Sequence, residues 1–183
     1  MAKLVANVYG DALFSIGKEN DTLDTLYKEV LAVKTAFDET PQLMDLLVSP
    51  NLNSEQKQAL LARTFQGRVS SDMLGFLSIV LKKSRQEYLD DMFTYFISAY
   101  KEERKIGVVS VTTPFALSAP KKYEIQEKLL QTTGYKTLEI DYKVDESLIG
   151  GMVIRIKDRV VDSSIKTRLK ELEKSLRSLQ IGE

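Results

Sequence analysis

The chain has 183 residues, with 26 basic side chains balanced by 26 acidic ones and no His, Cys or Trp. Without His and Cys, the common structural zinc sites, thiol nucleophiles and disulfides are excluded, and general-base catalysis would need a carboxylate or Lys shifted from its ordinary pKa. The neutral balance, shared almost evenly between the two halves, is not that of a nucleic-acid binder, and no apolar run approaches the roughly 20 residues that span a bilayer. The N-terminus is interrupted by polar residues too early for a secretory signal and is not an Arg-rich transit peptide.

Residues 1–105 read as helices. Val5, Val8, Tyr9, Ala12, Leu13 and Ile16 follow the i, i+3, i+4 rhythm, with Gly17 as terminator. Asp21 is a candidate cap for a second helix through Leu23, Leu26, Tyr27, Val30, Leu31 and Phe37. Thr40-Pro41 opens a short third helix that Ser49-Pro50 ends. Asn53 and Gln56 have the spacing of a capping box for a fourth, stopped by Gly67. Ser70 or Ser71 starts a fifth, and a sixth runs from about Gln86 to Lys105. The expectation is a six-helix bundle.

Two of these helices carry more apolar surface than one core-facing stripe needs. The fifth has Phe76 and Ile79 beside the stripe of Met73, Leu74, Leu77, Val80 and Leu81, and in the first Phe14 projects away from Val5, Tyr9, Leu13 and Ile16. A helix that is apolar nearly all round is either central or offers a second face to a partner. Pattern alone favours the central reading; the alternative is a groove that takes an amphipathic helix.

Residues 106–183 change character. Val108–Thr113 is a β-branched strand, a helix runs from about Ala119 to Thr132 and ends at Gly134, and Leu138, Ile140, Tyr142 and Val144 alternate with charged residues as a second strand. After a turn at Asp145–Gly151, Met152–Ile156 and Arg159–Val161 form a hairpin about Lys157-Asp158. Asp162 or Ser163 caps a last helix whose seam is Ile165, Leu169, Leu172, Leu176 and Leu179, expected to cover the local sheet and reach beyond it. The predicted class is α+β: an N-terminal six-helix bundle over 1–105, then a small β-α-β-β-α domain over 106–183.

Candidate chemistry is sparse. Gly150-Gly151 is not followed by a helix and lacks the Gly-Lys-Ser/Thr ending of a P-loop, so it reads as a turn or bulge. Asp158 and Asp162 could form a carboxylate pair for hydrolysis or a cation, but a turn residue and a helix cap account for them more simply. Arg155, Lys157 and Arg159 read as a solvated basic face. Tyr95, Phe96 and Tyr100, at helical spacing, read as core rather than as a stacking platform. No cofactor or metal site is expected.

The stretch Val-Asp-Glu-Ser-Leu-Ile-Gly-Gly-Met-Val-Ile-Arg-Ile-Lys-Asp-Arg-Val-Val-Asp-Ser-Ser-Ile-Lys-Thr-Arg-Leu-Lys-Glu-Leu resembles the C-terminal signature of the bacterial F-type ATP synthase delta subunits, counterparts of the mitochondrial oligomycin-sensitivity-conferring protein. Gly150, Gly151, Asp158, Asp162, Ser164 and Arg168 carry the match, and Val-Ala-Asn-Val-Tyr-Gly-Asp-Ala-Leu-Phe resembles the family's opening. Gly10 departs from the family's usual Ala. Lys157 stands where Gly is usual, which argues that this turn needs no positive φ.

The resemblance implies a non-catalytic stator subunit that links the catalytic head to the peripheral stalk during proton-driven ATP synthesis, and that is peripheral on the cytoplasmic face of a bacterial membrane. It implies that Val5, Tyr9, Leu13 and Phe14, with Phe76, Ile79 and Val80, receive the N-terminal helix of an alpha subunit. It implies further that Leu169, Leu172, Leu176 and Leu179 meet the C-terminal end of the b subunit. The reading left beside it is an RNA- or ribosome-associated α+β protein.

Overall fold

The computed structural model describes residues 2–180, with side chains described for 3–174. Two compact units divide between Lys101 and Glu102. In the first, the helices are α1 (Ala2–Glu19), α2 (Leu23–Glu39), α3 (Pro41–Val48), α4 (Ser54–Phe65), α5 (Ser71–Lys82) and, after a 3₁₀ turn at Gln86–Tyr88, α6 (Leu89–Glu103).

Local chemistry sets most of the ends. At α4 the capping box is complete: Gln56 N–H donates to Asn53 Oδ1 at 2.8 Å and Asn53 N–H to Gln56 Oε1 at 3.0 Å. Ser70 caps α5 by accepting from Met73 N–H, while Glu29 accepts from both the N–H and the hydroxyl of Ser70 at 2.8 Å. That second bond ties the cap to α2. Thr40 stands at the α3 N-terminus without a side-chain bond, so Pro41 supplies the start by its fixed φ.

The α1–α2 corner differs from expectation. Gly17 does not stop α1; it is buried inside the helix, close against Leu23 and Leu26. Nor does Asp21 cap α2. At φ +54° it ends α1, where Thr22 N–H donates to Gly17 O at 2.9 Å in a Schellman closure.

The face that α1 buries is also rotated from the predicted stripe. Ala6, Gly10, Leu13 and Gly17 are buried, whereas Val8 and Ile16 are exposed. Small residues let a neighbouring helix come close: a side-chain carbon on Gly10 would stand 2.4 Å from the Tyr95 ring and 3.2 Å from the Met92 carbonyl. Close backbone approach outranks apolar volume here. Phe93, Phe96, Leu26, Leu77 and Met92 fill the centre, each worth about 1.5–3 kcal/mol on burial. Tyr100 is buried too, stacked on Tyr27 at 3.9 Å and donating to Asp24 at 2.7 Å, while half-buried Tyr95 donates to Asp11.

The second unit is a four-stranded sheet of order β2-β1-β3-β4, with β1 Ile106–Thr113, β2 Thr137–Val144, β3 Val153–Ile156 and β4 Arg159–Asp162. β1 runs parallel to β2 through the crossover helix α7 (Ala119–Thr133) and antiparallel to β3. Gly134, at φ +69°, ends α7. Val109 and Val111 of β1 pack with Ile125 and Leu129 of α7, flanked by Leu138, Ile140, Ile154 and Ile156.

The two-residue turn Lys157-Asp158 overturns one expectation, because Lys157 sits at φ +51°. Its ammonium pairs with Glu102 and lies over the Tyr135 ring, contacts that hold a non-glycine residue there. The register corrects another. Arg155 pairs across from Val160 and Arg159 from Ile156, so the two arginines lie on opposite faces rather than forming one basic face.

Candidate partner-binding cleft

Rotation of α1 about its axis creates the site. With Ala6, Gly10, Leu13 and Gly17 turned inward, the side chains of Val8, Tyr9, Ala12 and Ile16 face α5 and open a cleft of about 470 Å³. Ser71, Asp72, Gly75, Phe76 and Ile79 make the other wall. Asn20, just beyond α1, donates to Asp72 near the start of α5 at 3.2 Å, which brings the end of α1 to the start of α5. Val8 is 58% exposed and Ile79 54%, so the cleft presents branched apolar side chains from both helices to solvent.

The predicted groove residues divide between the cleft and the core. Tyr9, Phe76 and Ile79 line the cleft. Leu13 and Val80 are fully buried in the bundle and cannot meet a partner. Phe14 turns inward, edge-on to Phe96 at 6.4 Å, and Val5 is half-buried outside the cleft wall. Sequence reasoning missed Val8, Ala12 and Ile16 by assigning them to the core stripe, gave Ser71 only a part in starting the fifth helix, and missed Asp72 and Gly75 altogether. The available signal was the small-residue spacing of Ala6, Gly10 and Gly17, which marks the buried face.

In the second unit, the last helix, α8 (Ile165–Gln180), is capped one residue later than expected. Ser164, fully buried, accepts from Thr167 N–H at 3.2 Å. Asp162 braces this cap, accepting from Ser164 N–H at 2.8 Å and from the Thr167 hydroxyl at 2.7 Å. These bonds, the Thr167 hydroxyl first, hold its carboxyl below the ordinary carboxylate value. Asp158 is an exposed turn residue, and Arg168 is exposed on α8.

Gly150-Gly151 brings the chain under α8: Ile165 N–H donates to Gly150 O at 3.0 Å, and Gly151 has φ +76°. The seam of α8 does not cover the sheet as expected, because Ile165, Leu169 (53%) and Leu172 (60%) are exposed. Leu176 and Leu179 lie outside the residues whose side chains are described. Beside α7, two apolar clefts of about 410 and 560 Å³ share Leu129, Thr132 and Ile154 as a common wall, and Phe115 and Val161 are exposed at their margins.

Residues 5–176 match the family model described as ATP synthase delta (OSCP) subunit. The chain is 45% identical to the ATP synthase subunit delta of Lachnoclostridium phytofermentans, with 100% of both chains covered. It is 34% identical to the subunit of the same name from Desulforudis audaxviator over 97% of each. Among solved structures it is similar to a chain of the Toxoplasma gondii mitochondrial ATP synthase hexamer, with a TM-score of 0.72 over 93% of this chain and 96% of that one. At 19% identity that likeness speaks for the fold.

Proposed function

The chain belongs to the ATP synthase delta (OSCP) subunit family, and from that premise we propose that its α1–α5 cleft seats the N-terminal helix of an alpha subunit and that its α8 seam meets the C-terminal end of the b-subunit stalk. It is a stator subunit of an F-type ATP synthase, a structural part of that complex. Full-length similarity to delta subunits sets aside the RNA- or ribosome-associated reading. No helix among the described residues is long and apolar enough to cross a membrane. The subunit's place in a membrane-associated complex is then peripheral, on the cytoplasmic face, and held there by its partners.

The observation that carries the cleft reading is the pair Val8 and Ile79: exposed branched side chains, one from each helix, that line the same largely apolar cleft. The apolar stripe of an amphipathic helix fits such a trough. The seam reading rests on Leu169 and Leu172, exposed at coiled-coil spacing on a helix whose other faces are charged. Neither attachment calls for a reactive group, and Asp162 is spent on a helix cap and Asp158 on a turn.

The test is titration of the subunit with a synthetic peptide of roughly the first 20 residues of the alpha subunit, about 30 Å as a helix. Ile79→Asp is expected to weaken binding by at least about tenfold while leaving thermal unfolding unchanged. Undiminished binding would refute the cleft assignment.

A further inference from the structure

Three glycines lie inside helices of the first unit, and two are explained by its own packing. A side-chain carbon on Gly10 would press on Tyr95 and the Met92 carbonyl, and one on Gly17 would stand 2.9 Å from Leu26 and 3.0 Å from Leu23. Gly75 is different. It is the fifth residue of the 12-residue helix α5, so it caps neither end. Beyond its own helix backbone and chain neighbours, a side-chain carbon there would meet no atom within 4 Å. Glycine is the poorest helix former after proline, and nothing within the unit calls for it at this position. What Gly75 does is deepen the cleft.

Ala12 lines the same cleft from α1, and these are its two smallest lining residues: Ala12 lies between Val8 and Ile16 along α1, and Gly75 between Asp72 and Ile79 along α5. Helices pack by setting a bulky side chain of one into a hole bounded by residues of the other. Resting on the reading that the cleft takes the alpha-subunit helix, we infer that Gly75 and Ala12 form a hole for one large apolar side chain of that helix, and that this anchor fixes its register. The flanking branched residues close the hole along the cleft axis. Asp72, lining the same cleft, offers a carboxylate to a cation on the bound helix. The other occupant of such a trough, a second copy of this chain, would appear as self-association at Gly75.

The anchor separates two properties that usually move together. Filling the hole from within relieves a helix-weakening glycine and blocks the partner at once. The test uses the full chain and the same alpha-subunit peptide, with Gly75→Ala, Gly75→Leu and Ile79→Asp compared by thermal unfolding and titration. Gly75→Ala is expected to raise the melting temperature, and Gly75→Leu to stay folded while binding at least about tenfold more weakly. Truncating the peptide's large apolar residues to Ala one at a time should reveal one dominant position on the wild-type subunit, and that dominance should vanish on Gly75→Leu. Wild-type affinity in Gly75→Leu, with Ile79→Asp impaired, overturns the hole and leaves the cleft standing. No binding by the wild type overturns both. A concentration-dependent dimer abolished by Gly75→Leu replaces the alpha helix with a second copy.

Discussion

The carbonyl oxygen of Ser163 stands 2.3 Å from where the first side-chain carbon would sit on Gly151. No rotation of a side chain relieves that approach, because the obstacle is backbone, and Gly151 also holds φ +76°. Gly151→Ala is therefore expected to destabilise the second unit by about 3 kcal/mol or more, the sum of a strained conformation and a displaced strand end. Gly150→Ala should be milder. Its obstacle is the Ile165 side-chain tip at 2.5 Å, on a residue exposed enough to turn aside. Amide hydrogen exchange over β3 and β4 distinguishes the two, and equal protection in both variants would contradict the difference.

One residue earlier the backbone is strained by a residue poorly suited to it. Ile149 has φ +66° and ψ −43°, and Gly150 N–H donates to Leu148 O at 2.7 Å, the geometry of a γ-turn in its rare, positive-φ form. Its side chain is 66% exposed, so little packing offsets the strain. Ile149→Gly is expected to stabilise the second unit by about 1 kcal/mol, strain relief outweighing the greater freedom of unfolded glycine. A lower melting temperature in Ile149→Gly would show that the exposed Ile side chain makes a contact that outweighs the strain.

Signals that act within a few residues were legible in the sequence. The Asn53–Gln56 box, the Gly134 stop and the Lys157-Asp158 hairpin each depend on a handful of neighbouring atoms. The phase of α1 was not legible by hydrophobicity, because Gly10 and Gly17 carry no apolar weight, although their burial decides which face turns inward. That error carried Leu13 into the predicted groove and left Val8 out of it. The parallel pairing of β1 with β2 is set through an intervening helix, so strand periodicity does not report it. The cap of α8 moved from Asp162 or Ser163 to Ser164 because three hydroxyl or carboxyl groups in a row can all accept, and only the positions of the helix N–H groups choose between them.

Acid should loosen the second unit before its charge balance suggests. Asp162 is held below its ordinary value of 3.8 by bonds from Thr167 and then Ser164, and Asp145 below the same value by bonds from Ser147. Both pKa values are lower folded than unfolded. The stability they bring is fully present above about pH 4 and is lost as pH falls through the folded values. Asp162→Asn keeps an acceptor for Ser164 N–H but cannot titrate, so it should flatten the acid side of the stability curve measured from about pH 6 to about pH 2. A curve parallel to that of the wild type would mean that the cap bonds contribute nothing to acid sensitivity.

Gly10 supplies a case in which the better helix former should be the worse residue. In an open helix position, Gly→Ala stabilises by about 1 kcal/mol. Here the added carbon would stand 2.4 Å from Tyr95 Cδ1 and 3.2 Å from the Met92 carbonyl, so the Tyr95 ring must swing away or α1 must lift from α6. Either movement breaks the 2.8 Å bond from the Tyr95 hydroxyl to Asp11, which is the main reason that the Tyr95 phenol is raised above 10.0. Gly10→Ala should then fail to stabilise the first unit, and the Tyr95 phenol should fall back toward its ordinary value. Tyrosine ring-carbon NMR across an alkaline titration reads the second effect without reference to stability. In the double variant with Tyr95→Ala the ring is gone and only the 3.2 Å approach to the Met92 carbonyl is left, so part of the ordinary gain from alanine should return. If Gly10→Ala alone stabilises the unit with the Tyr95 phenol unmoved, α1 and α6 are not held together by close approach at this point.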